Sequence, residues 1–345
     1  MHLRFKSANF SSCIYNGFVN IGRLNHITIN YKGKGNKMNI PLFIFHVGYI
    51  DYLRLALTTA KKYNSDVLLI GDESNKRAWK PHLMKDELNS PVYQDFLKVY
   101  TKMSSYNSEY DLLIFECFFC LREWMNQNNI DKAWMLDSDV ISFSNFYDKY
   151  SRYLHNQDIV ASLSIPQHQD NYRWAAFGHN SYWTLEGITS FTDFCIETYS
   201  KNLSLLQEKY EWHIKNNILG GVCEMTLLYL WAKGKTDVFN TAKVYDGMTI
   251  DNWITSSENF ELNEYSVTIG GIKHITFKDG MPYSFNKKLG KDVALLSLHC
   301  QGSAKKYMRF LANDRLKDFY QLAPVWELVR PQRVRNKIKK LIKKV

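Results

Sequence analysis

The stretch Ala133 to Val140, AWMLDSDV, is an apolar run that ends in two aspartates one residue apart. An apolar run of this length suits a buried strand. Carboxylates so close repel, and each raises the other's pKa unless something positive lies beside them. A strand driven to its end with two such charges therefore asks for a counter-charge, and a divalent cation is the candidate. If the chain stays extended, Asp137 and Asp139 face the same way with Ser138 opposite, making a two-pronged oxygen clamp. Hard ions, Mg²⁺ or Mn²⁺, favour carboxylate and phosphate oxygens. The plainer alternative is that strand-end aspartates cap helices or make Asx turns.

Working outward from this stretch, strand and helix signals alternate. From Met38 an apolar run, IPLFIFHV, precedes a helical stretch from Tyr49 to Tyr63 and then DVLLIGD, which makes a βαβ unit. A longer helix is predicted from Tyr110 to Asn128, leading into KAWMLDSDV. Further strands fit DIVASLS, WAAFGHNSYW, GIKHITF and VALLSLHC, and helices fit Leu185 to Ser200, Gly221 to Lys233 and Ser303 to Gln321. This alternation implies an α/β sandwich with a mainly parallel central sheet. Ligands of such sheets sit beyond the carboxyl ends of the strands, where HVGY, GDES and DSD converge.

The chain has 345 residues, 45% of them hydrophobic and 15% aromatic, ample for a sizeable core. The longest approach to a membrane span, Ile40 to Ile50, is broken by Pro41, His46 and Gly48. MHLRFKSANF lacks the apolar region and cleavage site of a secretory signal, so a cytoplasmic location is expected. The six cysteines have no paired spacing pattern and are read as reduced thiols. Cys117 and Cys120 form a C-x-x-C, but inside a helical apolar run where packing is the expected role.

Three parts are expected: a poorly structured extension over 1–37, one domain over 38–325, and a basic amphipathic tail over 326–345. The extension is rich in Asn, Ser, Gly and Lys, and Met38 is read as a candidate start. The net charge is +10, and after Arg330 the tail holds seven basic residues and no acidic one. Val334, Ile338, Leu341, Ile342 and Val345 recur there at helical spacing. A cationic and an apolar face on one short helix suit an anionic membrane surface, at roughly 1 kcal/mol per basic residue. That reading places the protein at the inner face of the membrane through residues 331–345. A solvated tail or nucleic acid is the competing use, and nucleic acid is not expected.

Apolar strand, D-x-D, then VISFSNF resembles the GT-A glycosyltransferases, in the order of parts over most of residues 40–320. The resemblance implies a GT-A (Rossmann-like) nucleotide-diphospho-sugar transferase sandwich. It also implies Asp139 as the firmer metal ligand and Asp137 as its partner. Downstream, LHCQGSAKKY places His299, Gly302 and Lys305 in the H-x-x-G-x-x-K spacing of family 8-like GT-A enzymes. By that resemblance His299 completes the metal site and Lys305 meets the diphosphate. The physics agrees: an imidazole after a strand can ligate Mn²⁺, Gly302 lets backbone approach phosphate, and Lys305 sits at a helix start. Lys306 and Tyr307 stand where Pro-Trp is common in that family, which leaves stereochemistry open.

The same resemblance puts the nucleobase, uracil as the default, at FHVGYIDY. There His46 and Gly48 make the approach, Tyr49 stacks, and Asp72 of GDES accepts from base or ribose. Asn180 and Ser181 of FGHNSYW would read hydroxyls on the donor sugar. Glu224, in the first turn of the helix after NNILGGVC, is favourable there through the helix dipole alone. Its other reading is acceptor chemistry: the base of an inverting enzyme, or a binding group of a retaining one. Trp174 and Trp253, in polar loops, are candidates for the acceptor cleft.

The expected function is metal-dependent transfer of a sugar from a nucleotide-sugar donor to a glycan or lipid-linked acceptor in surface polysaccharide synthesis. A nucleotidyltransferase would need a glycine-rich basic loop after the first strand, which HVGYIDYLR does not supply. A non-catalytic membrane or RNA-binding protein using the tail would leave DSD and HCQG unexplained.

Overall fold

A computed structural model describes residues 40–155, 158–268 and 271–313. The expected extension over 1–37, the tail over 326–345 and the part of the Ser303 to Gln321 helix beyond 313 lie outside them.

The chain opens with β1 (Leu42–Phe45), α1 (Asp51–Tyr63), β2 (Val67–Gly71), β3 (His82–Met84), α2 (Lys85–Leu88) and α3 (Pro91–Val99). Then come α4 (Ser108–Gln127), β4 (Lys132–Asp137), β5 (Val140–Ser142), α5 (Phe146–His155), β6 (Ala161–Leu163), β7 (Asn180–Thr184), α6 (Leu185–Lys201) and α7 (Leu203–Lys215). The rest is α8 (Glu224–Ala232), β8 (Val238–Asn240), β9 (Met248–Thr249), β10 (Thr276–Lys278), β11 (Met281–Asn286), β12 (Lys291–Leu295) and β13 (Ser297–His299). A 3₁₀ turn at Gly302–Tyr307 and α9 (Met308–Ala312) follow.

Local chemistry sets several boundaries. The Asn107 and Thr184 side chains accept from the N–H groups of Glu109 and Gly187 and so cap α4 and α6. Ser90 caps α3 with Pro91 in the first turn. In α1 the buried Leu53, Ala56, Leu57 and Ala60 fall on one stripe.

The seven-stranded sheet runs β3-β2-β1-β4-β7-β6-β8. The ladders β2–β3, β1–β2, β1–β4 and β6–β8 are parallel, and β7 alone runs against its neighbours β4 and β6. This is the expected α/β class with a mainly parallel sheet. Alternation divides β1 between two layers. Leu42 and Ile44 pack with Leu53, Leu57, Trp134, Leu136 and Phe146, the side of α1 and α5, whereas Phe43 meets Trp124 of α4. Trp183 of β7 likewise packs on Phe118, Phe191 and Trp231, the side of α4, α6 and α8.

The chain leaves β1 toward β2 and β3 on one flank, then returns to place β4 on the other. The switch point therefore lies between β1 and β4, where a crevice opens beyond the strand ends.

Three expected strands change; of GIKHITF only Thr276 and Phe277 are strand, in β10. VALLSLHC divides at Leu296 into β12 and β13, which pair with different partners, β11 with β9 and β5. The front half of WAAFGHNSYW is not strand, and only its end forms β7. Helices α2, α3, α5 and α7 were not anticipated. Among the described residues no helix is long and apolar enough to cross a membrane.

Candidate active site

Parallel pairing puts Asp137 opposite Phe45 at the carboxyl ends of β4 and β1. The chain then turns at Ser138 and Asp139 before β5. The strand does not continue through DSD, so the two aspartates converge through this turn and not through strand alternation. The turn reverses the chain into β5, whose Val140 faces His299 of β13 in an antiparallel ladder. Asp137, Asp139 and His299 each offer a ligand atom within 4.8 Å of the other two. His299 Nε2 lies 3.3 Å from Asp139 Oδ1.

The imidazole is held from behind. Its Nδ1 bonds the backbone carbonyl of Asn252. A carbonyl only accepts, so Nδ1 carries the proton and, in the neutral ring, Nε2 presents its lone pair to the carboxylates. The His299 backbone N–H donates to Asp251 Oδ2 at 3.2 Å, and the other oxygen of Asp251 pairs with the fully buried Lys273. The His179 ring stacks on His299 with centroids 4.2 Å apart and planes 12° from parallel. Two carboxylates and a tautomer-fixed imidazole form a donor set that could hold a metal ion.

Lys305, in the 3₁₀ turn after β13, places Nζ 3.2 Å from Asp139 Oδ2. Burial pushes the Asp139 carboxyl up, but His299 and Lys305 outweigh it and hold it well below the usual carboxylate range. Crowding by its neighbours, then the charge of Asp139, push Asp137 up, although its side chain still opens to solvent. Burial pulls His299 down, yet the two carboxylates carry it above its ordinary value. His179 is driven well down by burial and then by the charge on His299. Asp139 has both positive groups within 3.3 Å, whereas the Asp137 pKa rises, the direction that a bound cation would reverse.

Asp137, Asp139 and His179 border a cleft of about 270 Å³. His46, Tyr52, Tyr110, Cys117, Glu224 and Lys305 contribute to its wall. His46 Nδ1 bonds Ser138 Oγ at 2.8 Å, tying the end of β1 to the DSD turn. Burial, and then Lys305, lower the His46 pKa. The ammonium of Lys305 also lies 5.2 Å from the Tyr52 ring centroid.

Glu224 is the first residue of α8, and its Oε2 is buried without a hydrogen-bond partner. Burial lifts its pKa to about 8. The segment before it is locked in place: Val222 N–H donates to Met103 O, and Ser105 N–H to Gly220 O, both at 2.8 Å. Gly221 takes φ +122°, and a Cβ there would fall 2.4 Å from Met103 O, so only glycine fits. The facing segment is anchored by the buried Asp111, whose Oδ2 accepts from Ser104 Oγ and Tyr100 Oη, each at 2.7 Å.

Other anticipated residues lie elsewhere. Gly48, at φ +87°, donates its N–H to Asp72 Oδ2 at 2.9 Å. Asp72 Oδ1 accepts from the N–H and hydroxyl of Ser74, so this carboxylate organises its own turn. Tyr49 is exposed beside it. Asn180 and Ser181 require a correction, because both are fully buried in the sheet. Asn180 bonds the Trp134 indole and Ser297 Oγ, and Ser181 bonds Gly178 O and the Trp183 indole. Side chains bonded inward in this way do not face a sugar. Gly302 starts the 3₁₀ turn at φ +56°. Trp253 packs edge-on against Phe177, outside the cleft. Trp174 lines a separate pocket with Tyr172 and Trp212. The described cysteines are free thiols. Cys120 is packed as expected, while Cys117 also reaches the cleft.

Sequence reading missed Tyr52, Tyr110, Ser138, His179, Asp251 and Lys273. His179 was visible inside FGHNSYW, and Asp251 in the TIDNW segment, but no spacing rule ties either to a residue so far along the chain.

No protein-family model matches the chain, and no curated protein matches its sequence. Among solved structures, the fold is similar to mouse xyloside xylosyltransferase 1 in its apo form, at 10% identity and a TM-score of 0.43. That match covers 59% of this chain and 84% of that one. A cytidylyltransferase from Leptospira borgpetersenii is similar at 15% identity and a TM-score of 0.30, over 51% of this chain and 73% of that one. At these values neither likeness bears on donor, acceptor or reaction.

Proposed function

We propose that the protein is a metal-dependent glycosyltransferase that moves a sugar from a nucleotide-sugar donor, read as a UDP-sugar, to a glycan or lipid-linked acceptor. The observation that carries the reading is the meeting of Asp137, Asp139 and His299, from distant parts of the chain, at the sheet's switch point beside Lys305. Asp137, Asp139 and His299 would hold Mn²⁺ or Mg²⁺. Such an ion, when bound, neutralises charge developing on a departing diphosphate.

The chain's own groups supply the rest. Lys305 adds a second positive charge at the same place and is solvent-accessible enough to reach a diphosphate. Glu224 Oε2, unpartnered in the cleft wall, either takes the proton of the attacking acceptor hydroxyl or binds that hydroxyl. A pKa near 8 suits a general base working at neutral to mildly alkaline pH. Tyr52 and Tyr110 line the cleft and offer it aromatic faces. The basic segment 331–345 supports a place at the inner, anionic face of a membrane, where a lipid-linked acceptor resides.

A panel of nucleotide sugars, each with Mn²⁺, tests the reading. Release of nucleoside diphosphate that stops with chelator and with Asp139→Ala supports it. Release of pyrophosphate from a nucleotide and sugar phosphate would instead mark a nucleotidyltransferase, and neither activity would leave a binding protein.

A further inference from the structure

The loop from β6 to β7 builds a second concave site that the reaction centre does not use. Tyr172 and Trp174 from this loop and Trp212 from α7 line a shallow pocket of about 480 Å³, a volume within the roughly 300–1,000 Å³ range of ligand sites. Tyr172 lies 4.9 Å from Trp174 and 5.7 Å from Trp212, centroid to centroid, with planes 54° and 39° apart. Asp170, Asn171 and Glu208 stand around the rings.

The protein spends stability to keep this surface. Asn171, Tyr172 and Trp174 hold φ of 54°, 53° and 33°, a region that costs of order 1–3 kcal/mol for each such residue. Fixed bonds hold the loop there. The buried Lys209 gives its ammonium protons to the carbonyls of Tyr172 and Arg173. Arg173 pairs bidentately with Glu258 at 2.7 Å, and Gln169 bonds both the N–H and the carbonyl of Ala175. None of these bonds is needed to bury the rings, which stay half open to solvent.

Flat aromatic faces rimmed by hydroxyl acceptors suit a saccharide, whose C–H faces stack and whose hydroxyls donate. A cage for an alkylammonium ion needs rings spread around the cation. Here the Tyr172 and Trp174 centroids lie 4.9 Å apart, which leaves no room for a cation between the rings. The same loop runs on to Gly178 and His179, which line the catalytic cleft, and Ala176 N–H donates to Met225 O beside Glu224 at 3.1 Å.

We propose that Tyr172, Trp174 and Trp212 form a glycan-binding platform, a remote subsite for the acceptor chain. Its place in the reaction rests on the glycosyltransferase reading, but the binding does not. The full chain, without donor or metal, is titrated calorimetrically with malto-, cello-, chito- and galacto-oligosaccharides, and with tetramethylammonium as the competing chemistry. Saturable binding of at least one oligosaccharide series, weakened about tenfold or more by Trp212→Ala and largely retained by Trp212→Phe, supports the platform. Binding of none of the series, binding indifferent to Trp212→Ala, or binding of tetramethylammonium alone overturns it. Should Trp212→Ala melt well below the parent chain, Trp212→Leu keeps an apolar side chain without the flat ring and is expected to show the same loss. Donor cleavage by the unaltered chain is measured separately, so failure of the transferase reading is distinguishable from failure of the platform.

Discussion

The backbone N–H of Cys300 donates to the carbonyl of Asp139 at 2.9 Å. This bond extends the ladder in which Val140 faces His299, and it fixes the imidazole against the carboxylates. Side-chain rotamers alone would not hold groups from two distant segments so closely. The pairing of β5 with β13 makes the constellation a property of the backbone.

Replacing Asp139 by Asn should abolish the response to metal. Asp139 faces both His299 Nε2 and Lys305 Nζ, so its loss removes the clamp's central oxygens. The loss of Mn²⁺ affinity should exceed the ~10–100-fold typical of an outer-shell partner. Thermal melting read with and without Mn²⁺ checks this: the wild type gains stability by mass action and the variant does not.

Glu224→Gln should lower turnover by about 10² or more if Glu224 is the base, and near-normal turnover removes it from that role. A stability test runs alongside. The Glu224 pKa is raised from 4.5 to about 8 in the folded protein, so the folded state holds a proton the unfolded chain releases. Its favourable contribution is complete below about pH 4.5 and lost as pH rises through about 8. In metal-free buffer the Gln variant should therefore melt higher than wild type at pH 9 and converge with it at pH 4.

Asp251→Ala should destabilise the fold by about 3–5 kcal/mol, because it strands the buried Lys273 without its partner. Combining it with Lys273→Met should recover much of that loss, as no unpaired charge then remains. Urea midpoints of the single and double variants decide it. Additive losses would show that the pair is not the coupled unit described.

Deleting residues 331–345 should abolish co-sedimentation with vesicles rich in anionic lipid, at roughly 1 kcal/mol per basic residue lost. Raising salt should weaken the intact chain's binding in parallel. Binding that survives the deletion locates the membrane contact elsewhere.

The sequence by itself determined the α/β class, the strand carrying Asp137 and the helices α1, α4 and α6. In each, apolar spacing and caps such as Asn107 act within a few residues. Asp137 and Asp139 were legible because they end a strand signal, and His299 and Lys305 through the resemblance of LHCQGSAKKY to an H-x-x-G-x-x-K motif. Only the tertiary structure decided that Asn180 and Ser181 are both buried, because β7 is covered on both faces and adjacent residues that point to opposite sides each meet a packed layer. It alone brought Asp251, Lys273 and His179 behind His299, and Asp111 behind the segment that carries Glu224. Local propensity acts over a few residues, whereas these contacts join segments whose meeting is fixed by sheet pairing and core packing.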